Sequence, residues 1–135
     1  MLEKLIKKIT LFLGFTEPVE PDINGVYSLF FEPKTTVFLS EGVEKDILLK
    51  SILGEIKKED DNSKTYLRLM EASLFGLETG GAILGLDDNH IVLLKKISAD
   101  VSYEDFQDYL ETFINFSESW QNDLVLSLNS KKKEI

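Results

Sequence analysis

The chain has 135 residues, 43% hydrophobic and 29% charged, with a formal net charge of −9 and no cysteine. That balance is the balance of one folded, soluble domain, and the missing thiols exclude disulfides, thiolate catalysis and thiolate metal sites. A single histidine, His90, rules out a His–His metal pair, and the acidic excess argues against general nucleic-acid binding, which needs lysine and arginine to neutralise phosphates.

At the N-terminus, Leu2, Leu5, Ile6, Ile9, Phe12 and Leu13 recur at the spacing of one helix face, with Lys4, Lys7 and Lys8 largely off it. Gly14 is the expected stop, and Pro18 and Pro21 make TEPVEPD a connector. Lysines followed by apolar residues imitate a signal peptide, but here charges interrupt the apolar residues and no small-residue cleavage site follows. The segment therefore reads as an amphipathic helix of the mature protein. No apolar run approaches the ~18 residues that a bilayer span requires.

Asn24-Gly25 opens a predicted strand from Val26 to Phe31, closed by Glu32-Pro33-Lys34. A second strand spans Thr36 to Ser40, before the turn Glu41-Gly42, and a third spans Asp46 to Ile56. Such short connections predict an antiparallel meander, because parallel strands need long crossovers. Apolar residues fall on both faces of these strands, so both faces are expected to be covered, one of them by helices.

The polar stretch Lys57 to Ser63 leads into a helix from about Lys64 to Phe75, stopped by Gly76. Its apolar residues Tyr66, Leu67, Leu69, Met70, Leu74 and Phe75 occupy more than one face, which points to a second packing partner, a subunit contact. A turn through Thr79-Gly80-Gly81 then enters the strand Ala82–Leu86, whose interior Gly85 signals a bulge or the close approach of another backbone. Asp87-Asp88-Asn89-His90 joins it to the strand Ile91–Ser98 as a hairpin.

Ser102 is the expected N-cap of the last helix, with Glu104 and Asp105 at its positive end. Tyr103, Phe106, Tyr109, Leu110, Phe113, Ser117, Trp120 and Leu124 form its inner stripe; Asp100, Glu104, Asp105, Asp108, Glu111, Glu118 and Asp123 form a solvated acidic face. The order α-β-β-β-α-β-β-α describes an α+β fold, a largely antiparallel sheet packed with three helices. Residues 1–130 are expected to be one domain and residues 131–135 a basic tail.

Chemistry is absent from the motifs that imitate it. Thr79-Gly80-Gly81-Ala82-Ile83-Leu84-Gly85 lacks the lysine and hydroxyl of a phosphate loop, and it runs from helix to strand rather than from strand to helix. Asp87, Asp88 and Asn89 lack the spaced oxygens of a calcium loop, and turn formation accounts for them. His90 has no serine or cysteine partner motif, and Glu104 and Asp108 share one helix face instead of flanking a cleft. No catalytic residue, metal site, cofactor or small-molecule substrate is expected.

The segment GLETGGAILGLDDNHIVLLKKI (Gly76 to Ile97), preceded by LMEASLF and followed by SYEDFQDYLETFINFSESWQNDL, resembles the class I type III secretion chaperones, the Tir-chaperone family. Members share the element order, the glycine-rich turn into a short strand ending in Leu-Asp, the hairpin, and a last helix with an aromatic residue and a downstream tryptophan. The resemblance implies a cytoplasmic bacterial homodimer that binds N-terminal segments of secreted effectors without ATP hydrolysis and helps present them to the export apparatus.

By segment, the resemblance places the dimer contact at Leu67, Met70, Leu74, Ile83 and Gly85. It places effector binding on the first helix and the sheet, at Leu2, Leu5, Ile6, Ile9, Phe12, Phe30, Val37 and Leu39. Taken singly, each of these apolar residues is better explained as core; their collective surplus is what points to a patch. A different class of function, an interaction or adaptor domain of similar fold with no role in secretion, predicts the same surfaces and differs in its partners.

Overall fold

The computed structural model describes residues 2–31, 34–55, 63–74 and 80–133, with side chains described except at 63–65 and 124–133. The elements run α1 (Leu2–Phe12), β1 (Tyr27–Phe31), β2 (Thr35–Glu41), β3 (Ile47–Glu55), α2 (Ser63–Ser73), β4 (Ile83–Asp87), β5 (His90–Ile97) and α3 (Tyr103–Lys133). The order is the predicted one. Phe75, Gly76, Thr79, most of the linker after β3 and the end of the basic tail lie outside the described residues; Lys131 to Lys133 continue α3.

The five strands form one sheet in the order β1-β2-β3-β5-β4, and every neighbouring pair is antiparallel. Local chemistry fixes the joints. α1 ends in a Schellman arrangement: Gly14 takes φ 79°, its N–H donates to Leu11 O and the Phe15 N–H donates to Thr10 O. Ahead of β1, the Asp22 carboxylate accepts from the Asn24 and Val26 N–H groups at 2.8 and 2.9 Å, closing the turn that delivers the chain to the sheet. α3 begins at its predicted cap, the Ser102 hydroxyl oxygen accepting from the Asp105 N–H at 3.1 Å. The β4–β5 hairpin is tighter than expected: Asp87 and His90 pair across the strands, leaving Asp88-Asn89 as the turn.

The three helices share one core with a single face of the sheet. That inner face carries Leu29, Val37, Leu39, Leu49, Leu53, Ile91 and Leu93, and it meets Leu5, Ile6 and Ile9 of α1, Leu69 and Ala72 of α2, and Phe106, Leu110, Phe113 and Trp120 of α3. The alternation of β2 and β3 between buried and open positions follows from this one-sided cover. The expected cover on the second face is absent among the described residues. The sheet's one register irregularity lies on β3 between Ile52 and Gly54; Gly85 pairs in register with Val92, so the bulge expected at Gly85 is not there. No helix is long and apolar enough to cross a membrane among the described residues.

Candidate functional site

Among the described residues, and apart from the Leu11–Leu13 end of α1, two apolar surfaces are left without cover, each built by strand or helix periodicity. The first is the outer face of the sheet. Opposed residues of an antiparallel pair share a face, so the registers Ser28↔Phe38, Phe38↔Lys50, Lys50↔Leu94 and Ile83↔Leu94 define one row across all five strands. Phe30, Leu48 and Ile52 lie in neighbouring rows of that face, each exposed. Val92 also points outward yet is buried. Lys50 of β3 reaches Asp87 of β4, across the intervening β5 strand that carries Val92. Lys50 donates to the Asp87 carboxylate and its positive charge lies beside it, which together hold that carboxyl below its ordinary value. Lys96 makes the matching contact with Asp46 at 3.1 Å and is raised in the same way by its carboxylate partner.

The second surface is the edge formed by α2 and β4. Leu69 and Ala72 turn inward, while Met70 is 70% and Leu74 71% exposed on the other side of the helix, beside an exposed Leu67. On β4, Leu86 is open on the side of α2, and Ile83, 63% exposed, is open on the outer-face side of the same edge. A groove of ≈ 600 Å³ runs between the two elements, lined by Tyr66, Met70, Leu74, Leu84, Gly85 and Leu86. A Cβ added at Gly85 would meet nothing within 4 Å, so the space beside it is open in the single chain. The broad apolar face read from the α2 sequence is thus two stripes, one packed into the core and one bare.

β4 is an edge strand, but its edge is partly occupied. The Leu84 N–H donates to the Ser73 hydroxyl of α2 at 3.2 Å, so a backbone donor that would otherwise recruit another strand is already paired. β1 is the other edge of the sheet.

The residues assigned to effector binding divide sharply. Leu2, Leu5, Ile6 and Ile9 are buried on the inner side of α1, and Val37 and Leu39 have no exposed surface on the inner face of β2. These six are core, a correction to their reading as a patch: the lysine-bearing side of α1 faces water, so its apolar side faces the sheet. Phe12 and Phe30 are open, at 66% and 54% exposure. Phe12 is the last residue of α1, two residues beyond the final buried one, Thr10, and it stands with the exposed Leu11 and Leu13. Phe30 belongs to the outer face. Phe38, Leu48, Ile52 and Leu94 were missed by the sequence reading. Lys50 was the available signal, because a lysine on β3 marks the outward parity that Leu48 and Ile52 share.

His90 opens β5 at the hairpin end, facing Asp87 and Glu55 in register, and no group of three metal-ligating side chains occurs among the described residues. The acidic side chains of α3 from Glu104 to Glu111 are exposed, as a solvated face requires.

The fold is similar to several solved complexes. It matches a chain of the ExsC–ExsE complex with TM-score 0.73 at 18% identity, covering 90% of this chain and 91% of that one. It matches a chain of the HopA1–SchA chaperone–effector complex with TM-score 0.71 at 18% identity, covering 90% and 93%. The Yersinia pestis type III secretion chaperone SycH, in complex with a fragment of YscM2, gives TM-score 0.63 at 20% identity over 89% of this chain and 99% of that one. In sequence, the chain is 40% identical over 127 residues to the Chlamydia pneumoniae protein CPj0713/CpB0740, covering 93% of this chain and 98% of the relative. The model of the Tir chaperone protein (CesT) family matches residues 4–121. These residues span most of the fold from α1 into α3, and the chain belongs to the Tir chaperone protein (CesT) family, a family of type III secretion chaperones and not of enzymes.

Proposed function

We propose that this chain acts in the bacterial cytoplasm as a homodimeric chaperone, holding the N-terminal segment of one or more secreted effectors in a secretion-competent state without ATP hydrolysis, and presenting the complex to the export apparatus. The observation that carries the reading is that, among the described residues, one small chain leaves both the outer sheet face and the α2–β4 edge bare, the two meeting at Ile83. Two surfaces serve two partners. The α2–β4 edge takes a second copy, through Leu67, Met70, Leu74, Ile83 and the open space at Gly85. The effector segment lies on the outer face over Phe30, Phe38, Leu48, Ile52 and Leu94, with Phe12 at the end of α1 as a further contact. Backbone pairing of that segment belongs to β1, because Ser73 already takes a donor of β4.

Light scattering of the free protein and co-expression with the product of a neighbouring effector gene test this reading together. The wild type is expected to be a dimer at micromolar concentration and Met70→Glu a folded monomer, since an unpaired carboxylate in a dry interface costs several kcal/mol, ~3–5 by comparison with broken buried pairs. The effector's N-terminal segment is expected to co-purify. A monomeric wild type would remove the dimer. Recovery of folded cytosolic proteins, and never an exported one, would replace the chaperone with an adaptor domain.

A further inference from the structure

The glycine turn between α2 and β4 is neither a phosphate cradle nor a free hinge. Gly80 and Gly81 both take left-handed backbone angles, φ 64° and 84°. Gly80 lies directly against α3: a Cβ there would come within 2.7 Å of the Phe116 ring and 3.0 Å of the Thr112 methyl. Lys95 of β5 donates to Gly81 O at 3.4 Å, and its ammonium lies 5.5 Å from the centre of the Tyr109 ring of α3. Beyond the turn, Ser73 of α2 holds the Leu84 N–H of β4. α2, the turn and β4 are therefore tied to one another and to the last helix at three points, of which the Ser73 bond lies within the groove and the Gly80 and Lys95 contacts lie outside it.

We infer that Gly80, Ser73 and Lys95 are positioning residues for the subunit contact, which fix α2 and β4 relative to each other so that Met70 and Leu74 keep their height against Leu84, Gly85 and Leu86 across the groove. This rests on the dimer reading above. Two rigid copies meet well only if helix and strand side chains keep their mutual height, and in a two-fold contact any displacement is met twice. A side chain at Gly80 would have to push the turn away from Phe116, carrying the start of β4 with it, while the strand's pairing with β5 keeps the fold intact.

Sedimentation of the full-length protein tests this. Gly80→Ala is expected to weaken dimerisation roughly tenfold, from left-handed strain plus the clash, with the far-UV spectrum unchanged. Adding Phe116→Leu to Gly80→Ala is expected to tighten the dimer again while lowering the unfolding midpoint further, a split that a merely destabilising role would not produce. Ser73→Ala and Lys95→Met are expected to weaken the dimer several-fold without a steric change. Should Gly80→Ala not fold, these two carry the test. Dimerisation of Gly80→Ala within about twofold of wild type, or of both Ser73→Ala and Lys95→Met within that range, overturns the inference, since twofold is below the tenfold step that ~1.4 kcal/mol makes. Met70→Glu separates the two failures. If wild type and Met70→Glu are both monomeric, the dimer and its anchor fall together. If Met70→Glu alone breaks a wild-type dimer, only the anchor falls.

Discussion

Ser117 and Gln121 stand one turn apart on the inner side of α3, where the pattern asks for apolar residues, and both are buried. The Ser117 hydroxyl donates to Phe113 O at 2.7 Å and lies 2.7 Å from the Ser51 hydroxyl of β3. Gln121 accepts from Thr35 of β2 at 3.2 Å and donates to Ile52 O at 3.1 Å. No buried side-chain polar atom lacks a partner among the described residues. The sequence shows a small serine in the stripe; it does not show that β3 offers it another serine. Ser117→Ala should therefore cost more than its lost volume, about 1–3 kcal/mol, because it strands the Ser51 hydroxyl; Ser51→Ala added to it should cost less than the sum, read from urea midpoints. At the surface, the lowered carboxyl of Asp87 works in the opposite sense to the raised Lys96. Its contribution is complete above the unfolded carboxylate value near ~3.9 and is lost as pH falls through the lower folded value. The stability difference between wild type and Asp87→Asn should thus be constant near neutrality and close only in acid, in urea titrations repeated across pH.

At the scale of elements, caps and turns were legible because their chemistry is local. Ser102 bonds its own helix three residues on, Gly14 supplies the left-handed residue after α1, and Asp22 closes its turn with its own neighbours. Ser102→Ala should lower stability by about 0.5–2 kcal/mol, measured by thermal or urea unfolding. The α2 sequence carries more apolar residues than one packed face needs, but it could not say which of them face inward. Tertiary contact divided them, Leu69 and Ala72 to the core and Leu67, Met70 and Leu74 to the edge. Gly85 signalled a bulge or the close approach of another backbone; it pairs in register with Val92, which removes the bulge, and the register shift lies instead on β3 between Ile52 and Gly54.

Across the whole molecule, the decisive fact is that three helices gather on one face of a five-strand sheet and leave the other without helix cover among the described residues. This separates substitutions that look alike on paper. Ile9→Asp puts a carboxylate into the core and should unfold the protein or cost more than ~3 kcal/mol, whereas Phe30→Asp on the outer face should change stability by no more than ~0.5 kcal/mol. Circular dichroism checks the first contrast. Co-purification with the effector segment checks the second, with Phe30→Asp folded and deficient in binding; a folded Phe30→Asp that binds as well as wild type would remove that position from the surface.

The sequence by itself determined the element order, the antiparallel hairpins, the caps and the family, because periods of two and 3.6, turn residues and capping hydroxyls act within a few residues of chain. It also carried the excess of apolar residues. Only the tertiary structure decided where that excess lies. Leu39 and Phe38 are adjacent in sequence but lie on opposite faces, Leu39 fully buried and Phe38 half-buried on the outer one, and Ile9 and Phe12 are separated by a single helical turn and by the end of the core. Which side of a strand is covered depends on helices distant in the chain, so a residue's burial is settled by elements it does not adjoin.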